Sequence, residues 1–405
     1  MKKFSFKAII AGLTAAAALL SSCSVTQADS SSKSSGGSDT KATSTDYKYG
    51  KIDIPGRDGA LCGAPIYIAY ENGYFAEEGF DVNLISADFE TRKIGLNNGT
   101  IPIVNGDFQF FPSIENGIDV KVVDGLHEGC IKFAVRPDSD IETVEDLKGK
   151  KIGVDEIGGT PHQVASLWLE NAGISADPSD GEVTFLPYSD GNLEFEALAS
   201  GEIDVAALWD PLGSIHEKAG DVKIIFDLGT DPYFSGYFCC FLYASTKVIN
   251  EKPDEVAALL RAYRKAQEFI YENPEETVDI IINGNYASIE DKELAVELIK
   301  SYGYPSASEH DDSWDQKVKD NVVYFVNGLS QIGYLESDPA EFADKIYYKV
   351  DVNLGADETA VNAPADTGEA EGKDVAIDEN SEAAPGRLAV EPDGMNTCCK
   401  EKEKA

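Results

Sequence analysis

Lys151-Ile152-Gly153-Val154-Asp155-Glu156-Ile157-Gly158-Gly159-Thr160-Pro161-His162-Gln163-Val164-Ala165-Ser166-Leu167-Trp168 is the stretch that decides how the chain folds. Its first four residues predict a short strand, and Val164, Leu167 and Trp168 recur at helical spacing. Between them Thr160 is placed to cap the helix, and Pro161 suits a first helical position, where its missing N–H costs nothing. Gln163 completes a capping box by reaching back to the cap's own N–H. A plain capped helix has no need of Gly158-Gly159. The two glycines let backbone approach a ligand closely, at a place where first-turn N–H groups and the helix dipole favour an oxyanion. Strand, glycine loop and helix form the repeating unit of largely parallel sheets, whose ligands lie beyond the carboxyl ends of the strands.

The same alternation extends in both directions. Upstream, Lys51-Ile52-Asp53-Ile54-Pro55 predicts a strand and Arg57 to Gly63 a glycine-rich loop. A helix starts at Pro65 and stops at Gly73, a strand runs from Asp81 to Ile85, and a helix from Glu90 ends at Gly99. A buried strand Ile101 to Val104 then hands Asp107, Phe108 and Gln109 outward. Val120 to Val123 and Cys130 to Val135 are further strands, followed by a helical turn at Val144 to Leu147. Downstream, Ile203 to Leu208 delivers Trp209-Asp210-Pro211. Leu96-Asn97-Asn98-Gly99-Thr100-Ile101-Pro102 and Leu198-Ala199-Ser200-Gly201-Glu202-Ile203-Asp204 share the order helix end, glycine, strand, which hints at two similarly built lobes facing one cleft. Helices over Pro253 to Asn273, Pro274 to Ile282, Glu290 to Ser301 and Ser313 to Ile332 make the last third mainly helical.

The ends differ from this body. Lys2, Lys3 and Lys7 precede an uncharged run from Ala8 to Leu20 and then Ser21-Ser22-Cys23. Such a run is too short for a ~30 Å hydrocarbon core and has the size of an export signal, with Cys23 placed to receive a lipid. Ser24 to Asp46 has almost nothing apolar and reads as a tether, and from Gly355 onward Ala, Asp, Glu, Gly and Pro predict a disordered acidic tail. The expected organisation is a signal peptide over 1–22, an anchor and tether over 23–47, a first lobe from 48–134 and 230–354, a second lobe over 135–229, and the tail over 355–405. The formal net charge of −38, from 34 basic and 72 acidic residues, excludes nucleic acid as a partner.

Trp209 and Asp210 bring an aromatic face and a carboxylate to the end of a strand, suited to stacking on an organic group and holding a cationic or hydroxyl one; Asp210 alone is equally an Asx turn before Pro211. After Cys23 the chain carries Cys62, Cys130, Cys239, Cys240, Cys398 and Cys399. With no CxxC or HExxH run there is no spacing that assigns a metal site, although His127, Cys130, Cys62 and the Cys239 pair are of a type to converge on a soft metal. Buried free thiols are the plainer reading. No nucleophile elbow or phosphate loop is present, and the only histidines are His127, His162, His216 and His310, so no catalytic residue, cofactor or resident metal is assigned.

Several segments together resemble the nitrate, sulfonate and taurine substrate-binding proteins of ABC importers. They are Gly63-Ala64-Pro65 with Ala69, Gly73-Tyr74-Phe75, Glu78-Gly79-Phe80-Asp81-Val82, the run Val144 to Val154, Gly159-Thr160, Gly201-Glu202-Ile203-Asp204, Trp209-Asp210-Pro211 and Asn273-Pro274-Glu275. The resemblance spans Lys51 to Gly333. It implies an α/β, type II periplasmic-binding-protein fold: two α/β lobes joined by two hinge strands, expected near Phe133 to Arg136 and Phe226 to Asp231. It further implies a monomer anchored through its lipid at the extracytoplasmic face of the membrane, closing on a small ligand and presenting it to a permease. The implied ligand contacts are Cys62, Gly63 and Ala64 before Pro65, Asp107, Phe108 and Gln109 after Val104, Gly159, Thr160 and Pro161, and Trp209 with Asp210. The expected cargo is a sulfonate, a nitrate-like anion or a small heterocycle. Cys62 departs from the small or polar residue usual in the first ligand loop, and Pro102 replaces the strand acid often found after the first-lobe glycine. Gly236 to Tyr243 is also similar to the cysteine-rich stretch of hydroxymethylpyrimidine phosphate synthases. Those enzymes use a histidine after the first-lobe strand, and Asn105 to Asn116 has none, which leaves binding of a thiamin-pyrimidine precursor, or a metal- or thiol-dependent enzyme of the same fold, as the alternative.

Overall fold

Alternating burial builds the first strands. The structure, a computed structural model, describes residues 47–56, 59–311 and 313–356; Cys23, the expected signal and tether, and nearly all of the acidic tail with Cys398 and Cys399 lie outside the described residues. In β1 (Gly50–Pro55) Ile54 is buried while Lys51 and Asp53 are exposed, and β1 pairs in parallel with β2 (Phe80–Ile85), which buries Phe80, Val82 and Leu84. Next in the chain come β3 (Ile103–Asp107) and β4 (Val120–Glu128). The chain then crosses at Gly129-Cys130 into a second sheet made of β5 (Ile131–Val135), β6 (Lys151–Val154), β7 (Thr184–Pro187), β8 (Val205–Trp209) and β9 (Lys223–Asp227), in the spatial order β7-β6-β8-β5-β9. It returns as β10 (Phe238–Ser245), which inserts between β3 and β4 and is buried at every residue.

The expected α/β architecture is present, with the two-stranded β1-β2 and three-stranded β3-β10-β4 sheets on one side of the crossings and the five-stranded second sheet on the other. The expectation of largely parallel strands holds for β1 with β2 and for β6 with β7 and β8. By contrast β5 runs antiparallel to β8 and β9, and β10 antiparallel to β3 and β4, because these strands carry the chain out of one sheet and back into it. β10 has no signature in the sequence pattern, since a strand buried on both faces has no polar alternation to reveal it.

Where the chain changes sheet also differs from expectation. Phe133 and Phe226 are cross-strand partners inside the second sheet, stacked at 4.4 Å between ring centroids. The first crossing lies earlier, at Gly129-Cys130, while the second, along Leu228 to Tyr237, begins within the expected Phe226 to Asp231 and runs past it. They touch each other: a Cβ placed on Gly129 would lie 2.3 Å from the Gly229 nitrogen.

The two segments that share a pattern in the sequence share a geometry as well. Gly99 and Gly201 both end a helix in the left-handed region, at φ 78° and 80°, with their N–H groups donating to Leu96 and Leu198. The helical last third is as expected, and its helix Trp314–Gln331 packs on β4 and also on Thr160–Asn171 of the second sheet. Gly328 permits that approach, because a Cβ there would sit 2.9 Å from Leu167.

Candidate functional site

Asp107 at the end of β3, Asp155 after β6 and Trp209 at the end of β8 meet beyond their strands' carboxyl ends, where an open α/β sheet places its ligands. Asp107 is a cross-strand partner of Cys240, and its carboxylate accepts the Gln109 N–H at 3.0 Å. The Gln109 side chain donates to Glu156, so the segment after β3 is tied to the one after β6. Trp209 Nε1 donates to Asp155 at 3.0 Å. Burial pushes the Asp107 carboxyl up to about 7, and the neighbouring Cys240 and Asp155 push the same way.

Thr160 does not cap its helix. Gly159 is the cap residue, with no side-chain cap bond, and Gln163 instead donates to the Gly158 carbonyl at 3.0 Å. The helix starts one residue earlier than the capping box requires, which makes Thr160 its first member. Its hydroxyl is fully buried, close enough to draw the Asp107 carboxyl downward, yet without a completed hydrogen bond to protein. Gly159 serves Asp155, whose Oδ1 would lie 2.7 Å from an added Cβ, while Gly158 adopts φ +90° in open space. Pro161 is buried within the helix. His162 Nδ1 faces the Gly158 N–H at 2.9 Å and the Tyr334 hydroxyl at 2.6 Å, and burial lowers its pKa to about 4, so the ring is neutral.

Other expected contacts are positioned differently. Phe108 is fully buried and stacks on Phe325 at 4.2 Å, turned into the core and away from Asp107. Asp210 is 3 % exposed and points inward: it accepts from Ser214 at 2.7 Å and lies 3.5 Å from Lys132 Nζ, which also lies 3.4 Å from Asp227. Burial raises its pKa against the pull of Lys132. Cys62, Gly63 and Ala64 are buried in the turn leading into the helix Ala64–Glu71, and the Cys62 carbonyl accepts from Tyr304 at 3.0 Å.

The cysteines dispersed along the sequence come together. Cys130 and Cys239 sulfurs are 3.4 Å apart, Cys239 and Cys240 3.7 Å, and Cys239 Sγ is 3.7 Å from His127 Nδ1. In a regular strand neighbouring side chains point to opposite faces. Here register shifts between β10 and β4 at Phe238, Cys240 and Phe241 break that alternation and bring both thiols to one cluster. Cys62 borders Cys130 and His127. All four cysteines are free thiols and buried.

Asp155, Glu156 and Tyr334 are site residues that the sequence reading missed. For Asp155 the signal was available, since it is the first residue past a strand's carboxyl end; Tyr334 meets His162 only through tertiary packing. A groove lined by Ile249, Pro253, Val256, Tyr348 and Leu354 lies past the Ser245 end of β10, away from these residues.

Beside the site, Glu194 is 1 % exposed, and burial lifts its carboxyl to about 8. The folded protein therefore holds this proton more tightly than the unfolded chain. Its stabilising contribution is complete below the ordinary carboxylate range and is lost as pH rises through about 8, at about 1.4 kcal/mol per pH unit inside that window. Glu194→Gln is expected to flatten the fall in thermal midpoint between pH 5 and pH 8, measured by calorimetry; an unchanged slope would assign that fall to other groups.

Comparison with known proteins places these features in context. The profile described as NMT1/THI5 like matches residues 63–277. A binding protein of Brucella abortus strain 2308 is 34% identical over 143 residues, which is 34% of this chain and 42% of that protein, so the match spans less than half of the relative's length. A Bacillus subtilis strain 168 protein named for binding aliphatic sulfonates is 28% identical over 58% of this chain and 68% of its own. The formylaminopyrimidine-binding protein of Halalkalibacterium halodurans is 23% identical over 62% and 78%. Among solved structures, the alkanesulfonate-binding protein of Xanthomonas axonopodis superposes with TM-score 0.58 at 15% identity, covering 74% of this chain and 98% of that one. A desulfurization enzyme superposes at TM-score 0.52 and 16% identity over 75% and 97%, so the periplasmic-binding-protein fold is shared by a receptor and an enzyme.

Proposed function

The chain belongs to the NMT1/THI5-like family, and on that premise we propose that it is an extracytoplasmic solute-binding protein of an ABC importer that captures a small nitrogen heterocycle. The observation that carries this reading is the apposition of Asp107 and Gln109, from the three-stranded sheet, to Asp155, Glu156, Thr160 and Trp209, from the five-stranded one. Within the expected range of sulfonates, nitrate-like anions and heterocycles, three neighbouring carboxylates repel an anion at close range. They suit a ligand that offers N–H donors or positive charge, with Trp209 as a flat apolar surface beside it. The name of the formylaminopyrimidine-binding relative agrees with that choice.

In this reading the two lobes, one holding β1 to β4 with β10 and the other β5 to β9, close about the Gly129 and Gly229 crossings. Closure follows if the ligand touches both lobes and so binds the closed state better. Export by the N-terminal signal, lipid attachment at Cys23 and docking of the monomer on a permease complete the proposal. No helix among the described residues is long and apolar enough to cross a membrane. No residue is assigned a catalytic role.

A thermal-shift screen of the mature chain against pyrimidines, other N-heterocycles, sulfonates and nitrate tests the proposal. A ligand at a hundred times its dissociation constant adds about 2.7 kcal/mol, a shift of several degrees. Because the Asp107 carboxyl titrates at about 7, its ionised fraction rises about tenfold from pH 6 to pH 8. Titration calorimetry with the heterocycle is expected to show affinity tightening by up to that factor over the same range, and Asp107→Asn is expected to remove the dependence. Stabilisation by sulfonate or nitrate alone would overturn the heterocycle assignment.

A further inference from the structure

We propose that His127, Cys130, Cys239 and Cys240 form a tetrahedral binding site for a thiophilic divalent cation, zinc by preference, at the point where the chain crosses from the three-stranded sheet into the five-stranded one. The four side chains come from β4, the Gly129-Cys130 crossing and β10, and their ligand atoms all lie within 4.8 Å of one another. Zinc–sulfur bonds of about 2.3 Å in a tetrahedron place sulfurs about 3.8 Å apart. The separations of 3.4 and 3.7 Å fall short of that by a few tenths of an ångström or less, within reach of small side-chain rotations.

A second observation is independent of the thiols. His127 is fully buried, its Nδ1 lies 2.7 Å from the Glu128 carbonyl oxygen, and its Nε2 has no protein partner. With the Nδ1 proton donated to that carbonyl, Nε2 keeps an unshared lone pair inside the core; Nδ1 is the nitrogen 3.7 Å from Cys239 Sγ, so binding through Nε2 requires the ring to turn toward the thiols. Metal-bound imidazoles are oriented in this way, with the second nitrogen fixed by a backbone acceptor. An apolar core would gain nothing from a histidine with one nitrogen left unsatisfied, since a buried orphan polar atom is destabilising.

The donor set selects the ion. Three thiols and an imidazole are soft ligands that disfavour magnesium and calcium. Binding displaces three thiol protons, and the resulting three thiolates carry −3. A divalent ion leaves −1 in this enclosed place where a monovalent one leaves −2, so charge burial favours zinc over copper(I). Cys62 lies beside Cys130 and His127 as a further thiol outside the set of four. The site also adjoins the ligand opening, because Cys240 is the cross-strand partner of Asp107. A cation here would fix β4 to β10 beneath the opening and stiffen the crossing. The proposal is independent of which solute the protein carries.

The test uses the mature full chain, reduced, with Cys398→Ser and Cys399→Ser introduced so that the C-terminal pair cannot contribute. Cobalt(II) is the probe, because tetrahedral thiolate coordination gives intense visible d–d bands and a near-ultraviolet charge-transfer band. The expected result is one equivalent of cobalt with that spectrum, displaced by one equivalent of zinc. Cys239→Ser and His127→Ala in the same background are expected to weaken binding at least tenfold. Cys62→Ser is expected to keep the spectrum, which shows that a change at a neighbouring buried thiol is tolerated. Should the ligand variants fold poorly, the unsubstituted set decides alone: one equivalent of zinc is expected to raise the thermal midpoint and a chelator to reverse the rise. A pale octahedral spectrum, or thermal midpoints indifferent to zinc, would overturn the proposal.

Discussion

Asp124→Ala is expected to destabilise the folded body by about 3–5 kcal/mol, the largest loss from any single side chain considered. Asp124 on β4 is fully buried and lies 2.7 Å from Arg264 Nε, accepts from Trp314 Nε1, and receives the Gly125 N–H at 2.9 Å. Arg264 belongs to the helix Pro253–Glu272 and Trp314 opens the helix Trp314–Gln331, so one carboxylate joins β4 to both long helices of the C-terminal third. Alanine leaves the Trp314 indole N–H buried without its acceptor and the Arg264 guanidinium with Asp315 at 3.9 Å as its remaining carboxylate, and the desolvation of those groups makes up most of the cost. Asn keeps an acceptor for Trp314 while removing the charge, and is expected to fall between wild type and alanine. Denaturant unfolding at constant m-value measures both; a loss below about 1 kcal/mol for alanine would mean that water reaches Arg264 in its place.

Gly129→Ala is expected to cost about 3 kcal/mol, the upper end of overpacking penalties. Its added methyl would meet the Gly229 nitrogen at 2.3 Å and the Gly229 Cα at 2.4 Å, and neither atom can rotate aside as a side chain would. The reverse substitution separates this contact from a general intolerance of the crossings. A Cβ on Gly229 would find its nearest neighbours at 3.4 Å and 3.6 Å, ordinary contact distances, so Gly229→Ala is expected to stay within about 0.5 kcal/mol of wild type. Small-angle scattering with and without ligand adds a functional readout, in which Gly229→Ala keeps any compaction and Gly129→Ala diminishes it. Equal losses from the two substitutions would disprove the asymmetric contact.

The parts of the site that were legible in the sequence are those whose signal is local. Gly158 to Gln163 predicted a helix start just past a strand's end from residues within one turn of each other, and the helix begins there, at Thr160. The capping role given to Thr160 failed because cap geometry depends on where the helix starts to within one residue, and no pattern of residue types resolves that. Asp210 read as an outward carboxylate from its place after a strand. Lys132 and Ser214, distant in sequence, turn it inward. Phe108 behaves likewise, since only the presence of Phe325 decides that its ring joins the core.

By itself, then, the sequence determined the α/β alternation, the helical last third and the repeated helix, glycine and strand unit, because hydrophobic period, caps and glycine conformations are properties of neighbouring residues. Tertiary structure alone decided the antiparallel return of β10, the contact of Gly129 with Gly229, and the meeting of His127 with Cys130, Cys239 and Cys240. His127 and Cys239 are separated by more than a hundred residues, and their thiol and imidazole meet because a fully buried strand is drawn between β3 and β4 with shifted register. Nothing in a single chain's residue types encodes that register, which is set by the packing of both faces of β10 at once.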